Sequence, residues 1–243
     1  MKVSLISYTP HADKLLIFSK NTRLKMSSDD FENVLQMSDT QVEKELKYVF
    51  GTIGSSWEFV DYVFSITDVS RAFTHQLVRH RLASFAQQSQ RTVNVADSFD
   101  YISTGSCEQE SEISEVYDQG MKNIKKTYSF LLEMGAKVED ARGILPTNIT
   151  TNILAKFNLR ALSDLIGDRL CVRAQGEFQQ VAKAMKEEVI KVHPWAEQIL
   201  RVHCVKTGCC KFSNFKDCPM KIEGFIEEPN SNMLQEKWEN LIC

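Results

Sequence analysis

Apolar and polar residues alternate along KVSLISY, residues 2 to 8, the period of a strand with one covered face, and HADKLLIFSKN, residues 11 to 21, then takes helical spacing. Between Ser38 and Thr52, the positions Val42, Leu46, Val49 and Phe50 recur close to every 3.6 residues, which predicts a helix with Asp39 as its cap. WEFVDYVFSIT, residues 57 to 67, is rich in aromatic and β-branched residues and sets Val60, Tyr62, Phe64 and Ile66 on one side, so it predicts a strand. The spacing of VSRAFTHQLVRH, residues 69 to 80, predicts a helix that brings Ala72, His75, Gln76 and Arg79 onto one face. A long helix is expected from Glu108 to Met134, on Ile113, Val116, Met121, Ile124, Tyr128 and Leu131, with Gly135 as its C-cap. A short helix over 138 to 144 stops before Pro146, TNITTNILAKF reads as a strand, and helices follow over 158 to 173 and 176 to 192. HPWAEQILR, residues 193 to 201, opens a further helix with Trp195 turned inward.

This order has no regular alternation of strands and helices, no internal repeat and no GxGxxG loop, which predicts an α+β or irregular α/β fold. The expectation is a central sheet flanked by helices, with the long helices in the second half. Ten glycines and five prolines in 243 residues leave no linker to mark a boundary, so one domain over 1–243 is expected, with a cysteine-containing extension from about 203. No apolar run approaches the roughly 20 residues of a membrane span, and MKVSLISYTP lacks the apolar core of a secretory signal. A cytoplasmic protein with no membrane partner is therefore expected. A net charge of −3 and no broad basic stripe argue against nucleic acid, including an RNA-binding module built on the Arg79–His80–Arg81 triplet. Seven scattered cysteines read as reduced thiols. Cys204, Cys209, Cys210 and Cys218 are numerous enough for a zinc site, but they do not form a repeated CxxC pair and no metal is assigned.

One stretch departs from this ordinary composition. RHRLASFAQQSQR, residues 79 to 91, gathers Arg79, His80, Arg81 and Arg91 around Ser84, Gln87, Gln88, Ser89 and Gln90. Guanidinium forks take two oxygens at once, and hydroxyls complete the shell of a phosphate. Two guanidinium groups about 6 Å apart repel by roughly 3 kcal/mol at an effective dielectric near 20, so a partly buried group of them is unfavourable without an anion. The cluster points to a bound anion; the alternative is a solvated set of cations at a helix C-terminus.

The spacing RHRxxSxxxxSxR resembles the signature of the flavin-dependent thymidylate synthases. The likeness runs through residues 69 to 91 and continues at AR-x-ILP (Ala141 to Pro146), N-x-R-x-L (Asn158 to Leu162), Arg169 and AQ-x-E (Ala174 to Glu177), covering roughly residues 50 to 200. Members of that family transfer a methylene from methylenetetrahydrofolate to dUMP and reduce it to the methyl of dTMP, using FAD recharged by NADPH. The resemblance implies dUMP contacts at Gln76, Arg79, Gln87, Ser89, Gln90, Arg91, Arg142 and Arg169. Flavin contacts are implied at Ser55, Arg79, His80, Arg81, Gln87, Asn158, Arg160 and Asp164. Arg169 is the catalytic residue of this mapping, its permanent charge favouring loss of the uracil ring-nitrogen proton. The family also implies a homotetramer with sites between subunits.

Four positions depart from the family pattern: Ile53 and Asp164 where histidine is common, the latter also asparagine, Thr92 where tyrosine is common, and Gln87 where some relatives have glutamate. Ile53, Thr92 and Asp164 motivate the alternative of a non-catalytic dUMP-binding or regulatory relative with weakened flavin binding.

Overall fold

A computed structural model describes residues 1–23, 27, 30–52, 54–212 and 218. Strand β1 (Lys2–Tyr8) opens the chain, followed by helices α1 (Ala12–Ser19), α2 (Asp30–Leu35) and α3 (Asp39–Thr52). Strand β2 (Asp61–Ser70), helix α4 (Arg71–Leu77) and strand β3 (Ala83–Gln87) carry the signature region. Helices α5 (Ser106–Gln109), α6 (Ser111–Glu133) and α7 (Val138–Ala141) precede strand β4 (Thr150–Asn158). Helices α8 (Leu159–Arg169), α9 (Gly176–Val192) and α10 (His203–Thr207) follow.

The four strands form one antiparallel sheet in the order β1-β2-β4-β3. Its core-facing side is built in rows across the strands. Tyr62 stands opposite Tyr8 and Phe157, and Phe157 opposite Ala83; Phe64 stands opposite Leu5 and Ala155, and Ala155 opposite Phe85. Tyr62, Phe64, Ile66, Ala155 and Phe157 are fully buried beneath the helices, whose Leu162, Leu165, Phe178, Val181 and Met185 complete the core. Along β4 the alternate residues Asn152, Leu154 and Lys156 are exposed. The helices that flank the sheet therefore cover one face and leave these β4 side chains on the other. A smaller core of Val95, Tyr128, Ala141 and Ile149 joins α6 and α7 to the segment after the signature.

Several boundaries differ from the sequence pattern, each for a local reason. Ser38, not Asp39, caps α3: its Oγ accepts from Gln41 N at 3.4 Å while Gln41 Oε1 accepts from Ser38 N at 2.9 Å, a reciprocal box. Trp57 to Phe59 lie in a 3-10 helix (Gly54–Phe59), and β2 begins at Asp61, where pairing with Asn158 begins. The strand then runs beyond Thr67 through an irregularity at which Asp68 takes φ +55°. Helix α4 ends at Leu77, so Arg79 lies in the turn beyond it and no longer shares a helical face with Gln76. Glu110, extended at φ −103° and ψ 117°, separates α5 from α6. Thr147 and Ile149 belong to no strand; their carbonyls accept from Ala72 N and Arg71 N and so hold the start of α4. The helix expected over 158 to 173 ends at Arg169, and 194–198 is a 3-10 turn with Trp195 packed on the core. Among the described residues no helix is long and apolar enough to cross a membrane.

His193 closes the core beside the sheet. It is 7% exposed, stacks on Trp195, and its Nδ1 shares a 3.0 Å hydrogen bond with the Tyr62 hydroxyl. Burial lowers the His193 pKa and raises that of Tyr62. A histidine held neutral in the fold binds its proton more readily when unfolded, so its contribution is complete above the ordinary imidazole pKa of about 6.5 and is lost as pH falls from there toward the folded value. Thermal melting between pH 7.5 and 5 is expected to fall more steeply in the wild type than in His193→Gln, which has no titrating ring; parallel curves would exclude the histidine as the cause.

Candidate active site

The site is assembled where α4 meets α9. Ser70 ends β2 and caps α4, its Oγ accepting from Phe73 N at 2.9 Å. The same hydroxyl donates to Glu177 Oε2 at 2.5 Å, and Ser70 N donates to Glu177 Oε1 at 2.6 Å. Glu177 is 6% exposed, so this carboxylate spends both oxygens on one residue inside the protein. Gln76 Nε2 donates to Gln175 Oε1 at 2.5 Å as a second tie between the same segments. These bonds bring the rings of Phe73 and Phe178 edge to face, 4.9 Å apart.

Arg169, the last residue of α8, lies over the Phe178 ring with its guanidinium carbon 4.4 Å from the centroid. Its buried Nε has no hydrogen-bond partner among the described residues. His80 meets the same ring edge-on at 6.1 Å. Burial first, and then the charge of Arg169, lower the His80 pKa, against a smaller opposing pull from Asp168 and Asp164. The imidazole is thereby kept neutral beside a cation.

A second cluster forms at α7. Arg91 Nε donates to Glu139 Oε2 at 2.8 Å, and Arg142 Nε donates to the Glu139 carbonyl at 3.2 Å. Burial and the nearby charge of Arg142 lower the Arg71 pKa, so a third arginine stands in the same field. Ser89 Oγ accepts from Arg91 N at 3.1 Å and fixes the turn from which Arg91 extends. Gln90 is half-buried in this turn and Arg79 is exposed in the turn after α4. Gln87, assigned from the sequence to both ligands, projects from β3 toward Thr74, whose Oγ1 accepts from its Nε2 at 2.8 Å, with a longer bond to Thr151. Its amide is already engaged inside the fold.

The third group lies at the start of α8. Asn158 Oδ1 accepts from Ala161 N at 2.8 Å as the helix cap, and Arg160 pairs with Glu58 at 3.1 Å. Arg81, Lys156, Asn158, Ser84 and Asp61 line a polar cleft of about 210 Å³, with Lys156 and Asp61 paired at 2.8 Å. Ser55 is exposed in the neighbouring 3-10 helix. Arg160, Asp164 and Asp168 follow at four-residue intervals and are all exposed. Eleven helical residues separate the two ends of α8 by about 15 Å, so Asn158 and Arg169 can serve one ligand only if it is long.

Comparison with known proteins decides what this arrangement belongs to. A family model described as thymidylate synthase complementing protein matches residues 4–195. The flavin-dependent thymidylate synthase of Sulfurisphaera tokodaii is 32% identical over 98% of this chain and 90% of its own length. The chain belongs to the flavin-dependent thymidylate synthase family. The family's Thermococcus kodakarensis enzyme is 37% identical over 85% of this chain and 83% of its own. A crystal structure of Helicobacter pylori thymidylate synthase X with FAD and dUMP has the same fold, with a TM-score of 0.63 over 82% of this chain and 99% of that one, at 22% identity.

The structure brings Arg91 and Arg142, both read from the sequence as dUMP contacts, together at Glu139, and it sets His80, read as a flavin contact, on the same Phe178 ring as Arg169. Sequence reasoning assigned nothing to Arg71, Glu139, Lys156, Gln175 or Phe178. Glu139 and Lys156 look like ordinary surface charges in sequence, and Phe178 like one more core aromatic; the folded contacts alone distinguish them. Ile53 lies outside the described residues, while Thr92 and Asp164 are exposed. The six described cysteines are unpaired, and among the described residues no three His, Cys, Asp or Glu side chains are placed to hold a metal. Glu177→Ala strands two donors of Ser70 inside the protein and is expected to lower the unfolding free energy by about 1–3 kcal/mol in chemical denaturation. An unchanged midpoint would show that the carboxylate does not join α4 to α9.

Proposed function

We propose that this protein methylates dUMP to dTMP, with methylenetetrahydrofolate as carbon donor, NADPH as reductant and FAD as bound cofactor, in the cytoplasm. The observation that carries the reading is the meeting of Arg91 and Arg142 at Glu139, in a chain whose relatives bearing the name flavin-dependent thymidylate synthase align over most of its length. The Arg91–Glu139 pair is solvent-exposed and worth only about 0–1 kcal/mol, so a phosphate dianion can displace the carboxylate and neutralise both guanidinium groups at little cost. Arg169 then stands against the uracil edge, where its permanent charge stabilises the ring anion and makes the methyl-accepting carbon more nucleophilic. Ser89, Gln90 and Arg79 complete the nucleotide shell, while Gln76 and Gln87 act by holding Gln175 and Thr74.

The residues at α8 suit a flavin dinucleotide. Arg81 and Lys156 offer cations and Asn158 an amide in one polar cleft, the donor set a pyrophosphate requires, and Arg160 stands two residues beyond the cap. When bound, FAD supplies the electron pair that reduces the transferred carbon. His80, neutral by burial, offers a hydrogen bond toward it without adding a charge beside Arg169. Asp164 is oriented to solvent and in the field of Lys206, which reduces its repulsion of a dinucleotide.

A homotetramer with shared sites is part of the same proposal. Ile113, Val116, Phe130 and Met134 are 40%, 76%, 59% and 70% exposed, and their spacing puts them within about 100° of one side of α6. The uncovered face of the sheet adds Leu154, 41% exposed. Both surfaces fit burial against further copies of the chain.

Anaerobic reduction by NADPH followed by dUMP and methylenetetrahydrofolate is expected to give dTMP in step with flavin reoxidation, and Arg169→Ala to slow product formation about 10²-fold or more. A protein that binds dUMP without taking up FAD would instead be the regulatory relative. Light scattering is expected to give the mass of four 27.8 kDa chains, and Phe130→Glu to shift it to smaller species with loss of turnover. A monomeric wild type with full activity would exclude shared sites.

A further inference from the structure

We infer that Phe178 is the positioning residue that sets Arg169 and His80 side by side, and that it acts on dUMP through Arg169. This rests on the reading of Arg169 as the residue that faces the uracil. The ring is fully buried, and three of its neighbours have been placed by independent contacts: Arg169 on its face at 4.4 Å, His80 at 6.1 Å and Phe73 at 4.9 Å, both edge-on. The electron-rich face of a benzene ring attracts a cation, and the attraction grows as water is removed. For Arg169 it replaces a hydrogen bond, because the buried Nε has no partner among the described residues. The ring itself cannot drift, since the adjacent Glu177 is bonded to Ser70 and Phe73 N to the same serine. One aromatic side chain thus fixes the separation between the group proposed to polarise the nucleotide and the group proposed to face the cofactor.

The test measures dUMP binding to FAD-loaded protein by equilibrium dialysis. Phe178→Leu keeps an apolar side chain but removes the ring, and is expected to weaken dUMP binding about tenfold, within the range of a partly desolvated cation–π contact. In an Arg169→Ala background the same substitution is expected to change binding less than about twofold, as two groups acting as a unit require. Phe64→Leu, in the core away from the site, serves as the control for lost packing: its melting temperature falls without a change in dUMP affinity. If Phe178→Leu does not fold, site-specific fluorinated phenylalanines keep the ring's shape while weakening its quadrupole, and affinity is expected to fall with each added fluorine. Equal losses in both backgrounds, or a fluorine series with constant affinity while Arg169→Ala still weakens dUMP, would overturn the positioning role. Unchanged binding in Arg169→Ala would instead overturn the reading of Arg169, and the inference with it.

Discussion

A single buried carboxylate organises the working half of this molecule. Glu177 accepts both the backbone N–H and the hydroxyl of Ser70, and Ser70 accepts in turn from Phe73. An ionised or hydrogen-bonded carboxyl this deep is tolerated only when its oxygens are satisfied, and one residue satisfies both here. The geometry of those bonds leaves little freedom between the end of β2, the first turn of α4 and the first turn of α9. Everything the site needs from α4 and the following turn is therefore referenced to α9, and Arg169 reaches it across the short 170–175 connection.

The charge distribution follows from the same economy of space. The overall balance of charge is slightly acidic. Arg71, Arg91 and Arg142 are concentrated around one small helix, where the Glu139 carboxylate pairs with Arg91 and its backbone carbonyl accepts from Arg142. At the other cluster Arg169 lies on an aromatic face, while burial and the Arg169 charge lower the His80 pKa against an opposing pull from Asp168 and Asp164. The two clusters use different neutralising devices: a displaceable carboxylate suits a site that exchanges a charged ligand, and a fixed ring suits a group whose position matters more than its net field.

Strands β1, β2 and β4 and most helices were legible in the sequence because the sheet has one buried side, whereas the short β3 inside the signature was not. Val60, Tyr62, Phe64 and Ile66 alternate as a half-covered strand must, and all four are fully buried. What the sequence pattern missed were features decided by pairing and capping. Ser38 outcompetes Asp39 because Gln41 can reciprocate, and β2 starts late because Asn158 is its first partner. The signature spacing carried the site's membership, since motif residues keep their order whatever the surroundings. It could not say that Gln87 is hydrogen-bonded to Thr74, or that Phe178, outside the signature, lies against both His80 and Arg169. Those facts depend on contacts between different elements, from β3 back to α4 for Gln87 and from the turn after α4 to α9 for His80, where local periodicity contains no information.

Helix α8 also serves as a measuring rod. Its first turn holds Asn158 and Arg160, its last residue is Arg169, and nothing interrupts the helix between them. One added or deleted residue would rotate the far end by about 100° and shift it by about 1.5 Å, turning Arg169 off the Phe178 face while leaving the composition of the site intact. The 170–175 connection carries no such phase and can change length at lower cost. Divergence in this protein should accordingly be read as a constraint on registration: substitutions on the exposed side of α8, as at Asp164, are negotiable, whereas its residue count is not.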